Sequence, residues 1–567
     1  MSKPTGAGGM GGGLVPGTYP PPAALRPDLT GESFAVVAGH PLVSMVAYDV
    51  FRAGGNAIDA GVAAGIASNV VQVDMANFGG IAPILVRAAG HKEVHSIAGV
   101  GRWSSSVTLD AMLRRYGGAL PLGGAPAIVP GAPAAWLQAL SRFGTMSLAE
   151  VAGPAIDLAT QGFLLDPALA TSLDICAKGF GQWPSSVNVY RPGGRPFSAG
   201  ERLRQPALGE TLSRLVAAEL GATGSRVQRI RAAHAAFYQG DIANVIATWV
   251  RDNGGFMTRD DLATFEAEVD RAVSTQLGDW EFFSTPSWSQ GPVALQILGL
   301  LERLPHSWHH VAEAITLAFN DREDYLCDPE HMEKPISELL SPDYLDELAG
   351  TVSNTALSGR PGHTADVGQI RTSTTSVVTI DREGNTFASS PSDTLDGGPI
   401  IAELGIMCSP RGVQSRLDPR HPNRLRPGGR PTITPAPMIG LNGSDSWAIA
   451  CPGGDVIVQA MAQVALQVLH HGIGLQEAVE APRIAAFNAP SAFHPHPTAD
   501  RLVYAEGRIP QKEIDRLKAQ GHTVQMWPDW EFDAGSVQTV KSTHTPGGEV
   551  ALTAGADPRR SAYAIVR

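Results

Sequence analysis

The chain has 567 residues, and its 55 aspartates and glutamates outnumber 43 lysines and arginines, which gives a formal net charge of -12. This acidic balance argues against a nucleic-acid-binding protein, because such proteins usually carry a basic stripe. Hydrophobic residues make up 43% of the chain and charged residues 17%, which is typical of a globular protein rather than a disordered one. A chain of this length buries enough surface to fold without disulfides or a bound metal.

The N-terminal segment is rich in glycine and proline, which predicts a flexible tail over residues 1–30. An extended segment packed along the surface is the alternative. The sequence shows neither the apolar stretch of a secretory signal nor a run of about 18 apolar residues that could cross a membrane. The four cysteines lie far apart and lack the spacing of a zinc or redox motif. We therefore expect a soluble cytoplasmic protein without a membrane partner.

The next predicted elements alternate between strands and buried helices. FAVVAG, which begins at Phe34, predicts a short strand, and a helical pattern follows over 41–51. Asn56 can cap the following helix, AIDAGVAAGIASNVVQV, which is apolar on nearly every face and should be buried. The pattern is mainly helical over 130–350, whereas strands dominate from Thr375 onward. This arrangement predicts a layered α/β or α+β fold.

The segment STTSVVTIDREGNTFASSPSD predicts a β-hairpin with threonines at its leading edge. A cut before Thr374 would give that residue a free α-amino group. The pKa of an α-amino group is about 7.7–8, so this group can act as a base near neutral pH and activate the hydroxyl of the same residue. Threonine at the start of a strand is also common without any chemistry.

The segment CPGGDVIVQ places Gly453 and Gly454 directly before a predicted helix. Their backbone N–H groups, together with the helix N-terminus, can form an anion-binding nest. In acyl transfer such a nest serves as an oxyanion hole. An ordinary strand-to-helix turn is the alternative interpretation.

Paired histidines occur near two predicted helix ends, at His309–His310 and at His470–His471. Their spacing does not give a facing pair of the metal-binding kind, so we interpret them as solvated residues. No metal site is predicted from them.

Further segments follow one another in a specific order: GGNAIDAGVAAGIASNVVQ, NFGG, AIVPGAPAAW, FYQGDIA, GGFMTRDDLATFEA, AFNDREDYLCDP, TTSVVTIDREGN, GRPTITPAPM, CPGGD and GADPRR. Together they resemble the gamma-glutamyltransferase family of N-terminal nucleophile hydrolases over almost the whole chain. The resemblance implies an α+β fold built as a four-layer αββα sandwich. It also implies a proenzyme that cleaves itself, and an N-terminal threonine that forms an acyl-enzyme without a cofactor or metal.

The resemblance places the nucleophile at Thr374, with cleavage between Ser373 and Thr374. The chain would then consist of the tail 1–30, a large subunit 31–373 and a small subunit 374–567. Thr372 is the alternative nucleophile. A homodimer of the processed unit is possible.

Other positions carry over from the family one at a time. Gly453 and Gly454 match its oxyanion glycines, Ser392 matches a polar residue near the nucleophile's α-amino group, and Thr375 matches the threonine that follows the nucleophile. Arg102, in GRWSSS, matches the arginine that binds the substrate α-carboxylate, a task suited to a planar guanidinium.

Thr434 falls in a hydroxyl pair that helps to hold the same carboxylate, although its neighbour is Ile433 rather than serine. The sequence departs from the family where an aspartate binds the substrate α-ammonium, because Gln414 lies at or beside that position. A neutral amide cannot supply this charge, and a shifted alignment would use Asp418 instead. The expected function is therefore an amidohydrolase acting on a small carboxylated amide, an oxamate- or acyl-amino-acid-like compound. The alternatives are gamma-glutamyl or glutathione hydrolysis and transfer, and an uncleaved binding relative.

Overall fold

The computed structural model describes residues 24–360, 373–545 and 547–567. The fold contains both helices and strands. The strands are β1 Leu29–Gly31, β2 Phe34–Ala38, β3 Ile84–Arg87, β4 Val94–Ile97, β5 Phe163–Leu164, β6 Arg202–Leu203, β7 Val269–Arg271, β8 Val273–Leu277, β9 Trp280–Ser284, β10 Val377–Asp381, β11 Thr386–Ser389, β12 Met438–Asn442, β13 Asp445–Ala450, β14 Ile484–Ala486, β15 Leu502–Glu506, β16 Thr523–Trp527, β17 Gln538–His544, β18 Val550–Ala556 and β19 Tyr563–Val566.

Most of the helices precede the hairpin formed by β10 and β11 in the sequence. They are α1 Pro41–Arg52, α2 Ala57–Val71, α3 Leu109–Tyr116, α4 Ala132–Phe143, α5 Leu148–Thr160, α6 Pro167–Phe180, α7 Pro184–Tyr190, α8 Pro206–Gly221, α9 Arg226–Tyr238, α10 Asp241–Asp252, α11 Arg259–Ala263, α12 Gly291–Leu301, α13 Trp308–Tyr325, α14 Ile336–Leu339, α15 Pro342–Gly350, α16 Val456–His470, α17 Leu475–Glu480 and α18 Gln511–Ala519. Among the described residues, none of these helices is long and apolar enough to cross a membrane.

Two seven-stranded sheets form the centre of the fold. One has the order β19-β2-β10-β11-β3-β4-β7 and the other the order β1-β18-β17-β13-β12-β9-β8. Small and β-branched side chains from both sheets, including Val37, Val378, Ala448 and Val540, form one buried cluster between them. Such a cluster is the apolar layer that holds two sheets face to face.

Helices cover the outer face of each sheet. The cluster outside the first sheet joins it to helices such as α1, α2 and α4. The cluster outside the second joins it to α12, α13 and α16. The layers therefore follow the order αββα, and the predicted α+β sandwich is confirmed.

Two hydrogen bonds at Ala57, the first residue of helix α2, fix this helix to the central strand β10. Asn56 caps α2 through the N–H groups of Ile58 and Asp59, as the sequence predicts. The N–H of Ala57 donates to Asp381 Oδ2 at 2.9 Å, and Thr379 Oγ1 donates to the carbonyl of Ala57 at 2.6 Å. These contacts hold β10, and the residues just before it, against a buried helix.

The expected tail over 1–30 is too long at its C-terminal end. Residues 1–23 lie outside the described residues, but the backbone N–H groups of Leu25 and Arg26 donate to Glu480 at 2.5 and 3.1 Å. The next residues form strand β1, which pairs with β18. Glu480 and strand β18, both distant in the sequence, hold this segment in place. Its glycine- and proline-rich composition therefore did not indicate that it is ordered.

Candidate active site

Thr374 lies three residues before β10, in the middle of the first sheet. It forms an isolated antiparallel bridge with Ser392, which follows β11 on the returning arm of the predicted hairpin. Its exposed fraction is only 1%. The hairpin register, with Val377 opposite Ser389, brings Thr374 and Ser392 together beyond the ends of the two strands.

Hydroxyl and guanidinium groups converge on the carbonyl oxygen of Ser373. Thr374 Oγ1 and Ser392 Oγ each lie 2.5 Å from that oxygen, and Arg411 Nη2 lies 3.3 Å from it. The two hydroxyl oxygens are themselves 2.8 Å apart. Donors on a carbonyl oxygen polarise it toward nucleophilic attack. The arrangement therefore places a hydroxyl beside an activated peptide bond, the bond between Ser373 and Thr374.

Arg411 is the member of this cluster that the sequence reasoning missed. Its guanidinium is buried, pairs with Asp393 through Nε, and donates to Ser392 Oγ and to Gln414 Oε1, the latter at 3.2 Å. Asp393 adopts a φ of 99°, which is unusual for a residue other than glycine and is found at strained functional positions. The signal in the sequence is GIMCSPRGVQ, where a single arginine closely follows an apolar run.

Gln414 and Thr434 join the same hydrogen-bond chain. Both side chains are buried, and Gln414 Nε2 lies 3.5 Å from Thr434 Oγ1 while its Oε1 accepts from Arg411. Gln414 thus serves as an acceptor for a cation in this structure. Asp418 does not join them: it pairs with the exposed Arg420 at the surface.

Gly453 and Gly454 form the turn between β13 and α16 with φ values of 137° and 59°. Residues with a Cβ rarely adopt such angles, so this turn requires glycine. Among the described residues, neither backbone N–H of the pair donates to an acceptor, which leaves both free for an anion. Burial raises the pKa of the neighbouring Cys451 thiol to about 12, so Cys451 is a packing residue rather than a thiolate.

A cavity of about 320 Å³ reaches Thr374 and Thr375 and also touches Pro452, the residue before the glycine pair. The hydroxyl of Thr375 donates to Gln72 Oε1 at 2.7 Å, so its proton is already engaged in a hydrogen bond within the protein. Asp74 also lines the cavity, and burial raises the pKa of its carboxyl.

His40 and Asp166 close another side of this cavity and lie 2.9 Å apart. The hydrogen bond from His40 lowers the pKa of Asp166 to about 2. The pair therefore places an ionised carboxylate at the cavity wall at neutral pH.

The structure does not bring Arg102 to this cluster. Its guanidinium contacts Glu268 at 2.8 Å, Glu330 at 2.9 Å and Asp328 at 3.4 Å. It lines a cavity of about 230 Å³, and Thr374 is not among the described residues of that cavity. Arg102 shares Glu268 and Asp328 with Arg430, so carboxylates already balance it. Arg411, by contrast, is a buried arginine that contacts the Ser373 carbonyl beside Thr374. The alternative nucleophile, Thr372, lies outside the described residues.

Comparison with known proteins gives relatives over most of the chain. The chain is 27% identical to a glutathione hydrolase proenzyme of Bacillus subtilis, with 91% of this chain and 89% of the relative covered. It is 29% identical to the acylase ACY 1 proenzyme of Pseudomonas sp. strain V22, covering 88% of each. It is 28% identical to the oxamate amidohydrolase proenzyme of Klebsiella pneumoniae, covering 93% of this chain and 97% of the relative.

Solved structures share the fold over nearly the full length. The structure of LmbA2991HD aligns with a TM-score of 0.87 at 31% identity and covers 96% of this chain and 100% of that one. A cephalosporin acylase from Bacillus halodurans aligns with a TM-score of 0.85 at 26% identity, covering 98% and 99%. The family model for gamma-glutamyltranspeptidase matches residues 43–566. The chain therefore belongs to the gamma-glutamyltranspeptidase family, whose members are hydrolases and transferases.

Proposed function

We propose that the chain is a proenzyme that cleaves itself between Ser373 and Thr374 and then hydrolyses an amide of a small carboxylated substrate. One observation carries the proposal: the Thr374 hydroxyl lies at the Ser373 carbonyl, together with Ser392 and Arg411. The proenzyme relatives support the same maturation. The fragments would be 1–373 and 374–567, with the nucleophile at the start of the small subunit. Location in the cytoplasm stays a prediction.

Self-cleavage would begin when Thr374 Oγ attacks the Ser373 carbonyl carbon. The hydroxyl loses its proton, the C–N bond breaks, the nitrogen of Thr374 takes up the proton that the hydroxyl has lost, and an ester joins Ser373 to the threonine oxygen. Water then hydrolyses the ester, which releases the Ser373 carboxylate and leaves Thr374 with a free α-amino group and hydroxyl. Ser392 and Arg411 donate to the oxygen on which negative charge develops in the first step.

The mature site would use Thr374 as both nucleophile and base. Its α-amino group takes the hydroxyl proton as Oγ attacks the substrate amide, and it returns a proton to the leaving amine. The free N–H groups of Gly453 and Gly454 would bind the oxyanion. Water then attacks the acyl-enzyme by the same route, which regenerates the threonine.

Arg411 would select a carboxylated substrate. In the precursor its Nη2 contacts both Ser392 and the Ser373 carbonyl. Departure of Ser373 frees one buried cationic N–H, which is suited to a substrate oxygen because charge-assisted hydrogen bonds are strong. A substrate ammonium placed at Gln414 would meet a neutral amide, and an unpaired buried charge costs several kcal/mol. The ionised Asp166 lies at the cavity wall beside His40 instead.

Gamma-glutamyl hydrolysis is the second candidate, because a relative named glutathione hydrolase matches 91% of the chain. The position of Asp418 gives this candidate no support, since its carboxylate pairs with Arg420 at the surface rather than with the Thr374 cluster. The third candidate, a binding relative that never cleaves, depends on the chain staying intact.

The test is intact-mass spectrometry and N-terminal sequencing of the wild type, Thr374→Ala and Thr372→Ala. We expect a fragment beginning at Thr374 in the wild type and in Thr372→Ala, and an intact chain in Thr374→Ala. Cleavage of Thr374→Ala at the same bond would refute the assignment, and a wild type that stays intact would favour the binding relative. The processed protein is then compared on oxamate, N-acyl amino acids and gamma-glutamyl anilides. Preference for the gamma-glutamyl compounds would select the second candidate.

A further inference from the structure

A second cluster of chemically active side chains lies far along the chain from Thr374, in helix α13 and at the start of β16. His309 and Glu313 are four residues apart on α13, so they share one face of the helix. His522 comes directly before β16 and meets that face. The exposed fractions are 1% for His309, 0% for Glu313 and 4% for His522. The sequence interpretation of His309 as a solvated helix end is therefore wrong, since this side chain is buried. Its partner His522 is more than 200 residues away in the sequence, so no local pattern indicates the contact.

Backbone groups orient two of these side chains. His309 Nε2 lies 2.7 Å from the carbonyl oxygen of Ser353. A carbonyl only accepts, so Nε2 carries a proton, and a neutral His309 presents the lone pair of Nδ1. The N–H of Leu357 donates to Glu313 Oε2 at 3.0 Å. Metal ligands are typically oriented by such hydrogen bonds to the atoms of the side chain that do not bind the metal.

The remaining atoms point at one another and are not all satisfied. His309 Nδ1 lies 2.8 Å from His522 Nε2, which lies 3.8 Å from Glu313 Oε1. A proton shared between the two imidazoles satisfies one contact only. Within the described structure, Glu313 Oε1 is buried and then has no hydrogen-bond partner. His522 Nδ1 also lacks a partner, but an ion bound to Nε2 would not supply one. Buried polar atoms without partners are rare and costly.

We propose that His309 Nδ1, His522 Nε2 and Glu313 Oε1 bind a divalent transition-metal ion, with zinc as the best fit. The ligand atoms offered by the three residues lie within 4.8 Å of one another. Two imidazoles and one carboxylate form a known zinc set, with bonds of about 2.0–2.2 Å. Tetrahedral bonds of that length separate the ligand atoms by roughly 3.3 Å, which the two observed contacts bracket. A water molecule would complete the tetrahedral set. Calcium and magnesium prefer all-oxygen sets.

The ion would connect two parts of the chain that self-cleavage separates. His309 and Glu313 precede residue 373, as do Ser353 and Leu357, whereas His522 follows it. The backbone already joins the same parts, because the N–H of Ala356 donates to the carbonyl of Gln520 at 2.7 Å. A metal here would hold the end of the large fragment to the small one. Only this consequence rests on the proposed function, since the ligand geometry exists in the uncleaved chain.

The test measures the metal content of the tag-free protein after addition of Zn²⁺ and desalting. We expect about one zinc per chain in the wild type and in Thr374→Ala, and a loss of most of it in His522→Gln and in Glu313→Gln. His310→Gln is the matched control, because His310 adjoins the site but binds Ser307 instead. It should keep its zinc. A zinc-free wild type whose Tm is unaffected by Zn²⁺ overturns the proposal, as does full zinc content in both ligand variants.

A measurement on the wild type alone decides the matter where the variants fail to fold. Co²⁺ added to the metal-free protein should give the visible absorption bands of a tetrahedral site, and X-ray absorption of the zinc protein should show imidazole scattering. A Co²⁺ spectrum identical to that of the free ion overturns the proposal. Binding by Thr374→Ala separates this result from the fate of self-cleavage, because that variant retains the cluster whether or not Thr374 is the nucleophile.

Discussion

Replacement of Arg411 by lysine tests whether this arginine activates the Ser373 carbonyl. Lysine retains the charge that balances Asp393, so the variant avoids the cost of an unpaired buried carboxylate. Its single ammonium cannot span Asp393, Ser392, Gln414 and the Ser373 carbonyl as the guanidinium fork does. Loss of one donor at a developing oxyanion slows a reaction about 10²–10³-fold. The contact here is long, 3.3 Å, so we expect a slowing near the lower limit.

The assay follows precursor cleavage after cell-free synthesis, with intact mass recorded over time. A slowing of about 10²-fold corresponds to roughly 2.7 kcal/mol of barrier height. Arg416→Lys is the matched control, because Arg416 is also buried and pairs with Glu323 at 2.7 Å. Among the described residues it makes no hydrogen bond to Ser373. Cleavage of Arg411→Lys at the wild-type rate would refute the proposed activation, whereas equal slowing of both variants would point to a general loss of structure.

Three further predictions concern the turn, the cavity wall and the core. Gly453→Ala places a Cβ at a φ of 137°, so we expect kcat of the processed enzyme to fall at least about 10-fold, measured by steady-state kinetics. The pKa of Asp166 is lowered to about 2 by His40, so its stabilising contribution is present above the unfolded pKa of about 3.9 and is lost as the pH falls toward 2. Urea unfolding between pH 5 and 2 should show a smaller acid loss in His40→Asn than in the wild type; equal losses would remove this pair as the cause. Asn56→Ala removes the cap of α2 and should lower the free energy of unfolding by about 1 kcal/mol, checked by urea denaturation.

Local patterns predicted the scaffold of the site well. The β-branched run before Asp381 and the turn residues after it specify the hairpin, and the register of that hairpin alone brings Ser392 to Thr374. The glycine pair likewise follows from local geometry, since positive φ angles at Gly453 and Gly454 require glycine. The hairpin and the glycine turn depend on neighbours in the sequence and were predicted from it, whereas Ser392 was assigned from the family resemblance.

Long-range pairing of charges was harder to predict. Arg102 was expected to bind a substrate carboxylate, but the fold surrounds it with Glu268, Asp328 and Glu330. Those carboxylates come from residues more than 160 positions away, and no local pattern relates them to the arginine. The same limit hid Arg411, whose significance depends on the distant hairpin that carries Asp393.

The charges around Thr374 would connect the proposed maturation with substrate choice. In the precursor, Asp393 neutralises Arg411, and the second edge of the guanidinium faces the neutral carbonyl of Ser373. Cleavage at the proposed bond would convert that carbonyl into a carboxylate, so Arg411, already paired with Asp393, would next bind the product of its own maturation. An arginine that binds the Ser373 carboxylate is also suited to bind a substrate carboxylate after the fragment ending at residue 373 has left. We infer that the neutral amide of Gln414 and the cation of Arg411 act together at this end of the site, because both favour a substrate anion over a substrate ammonium.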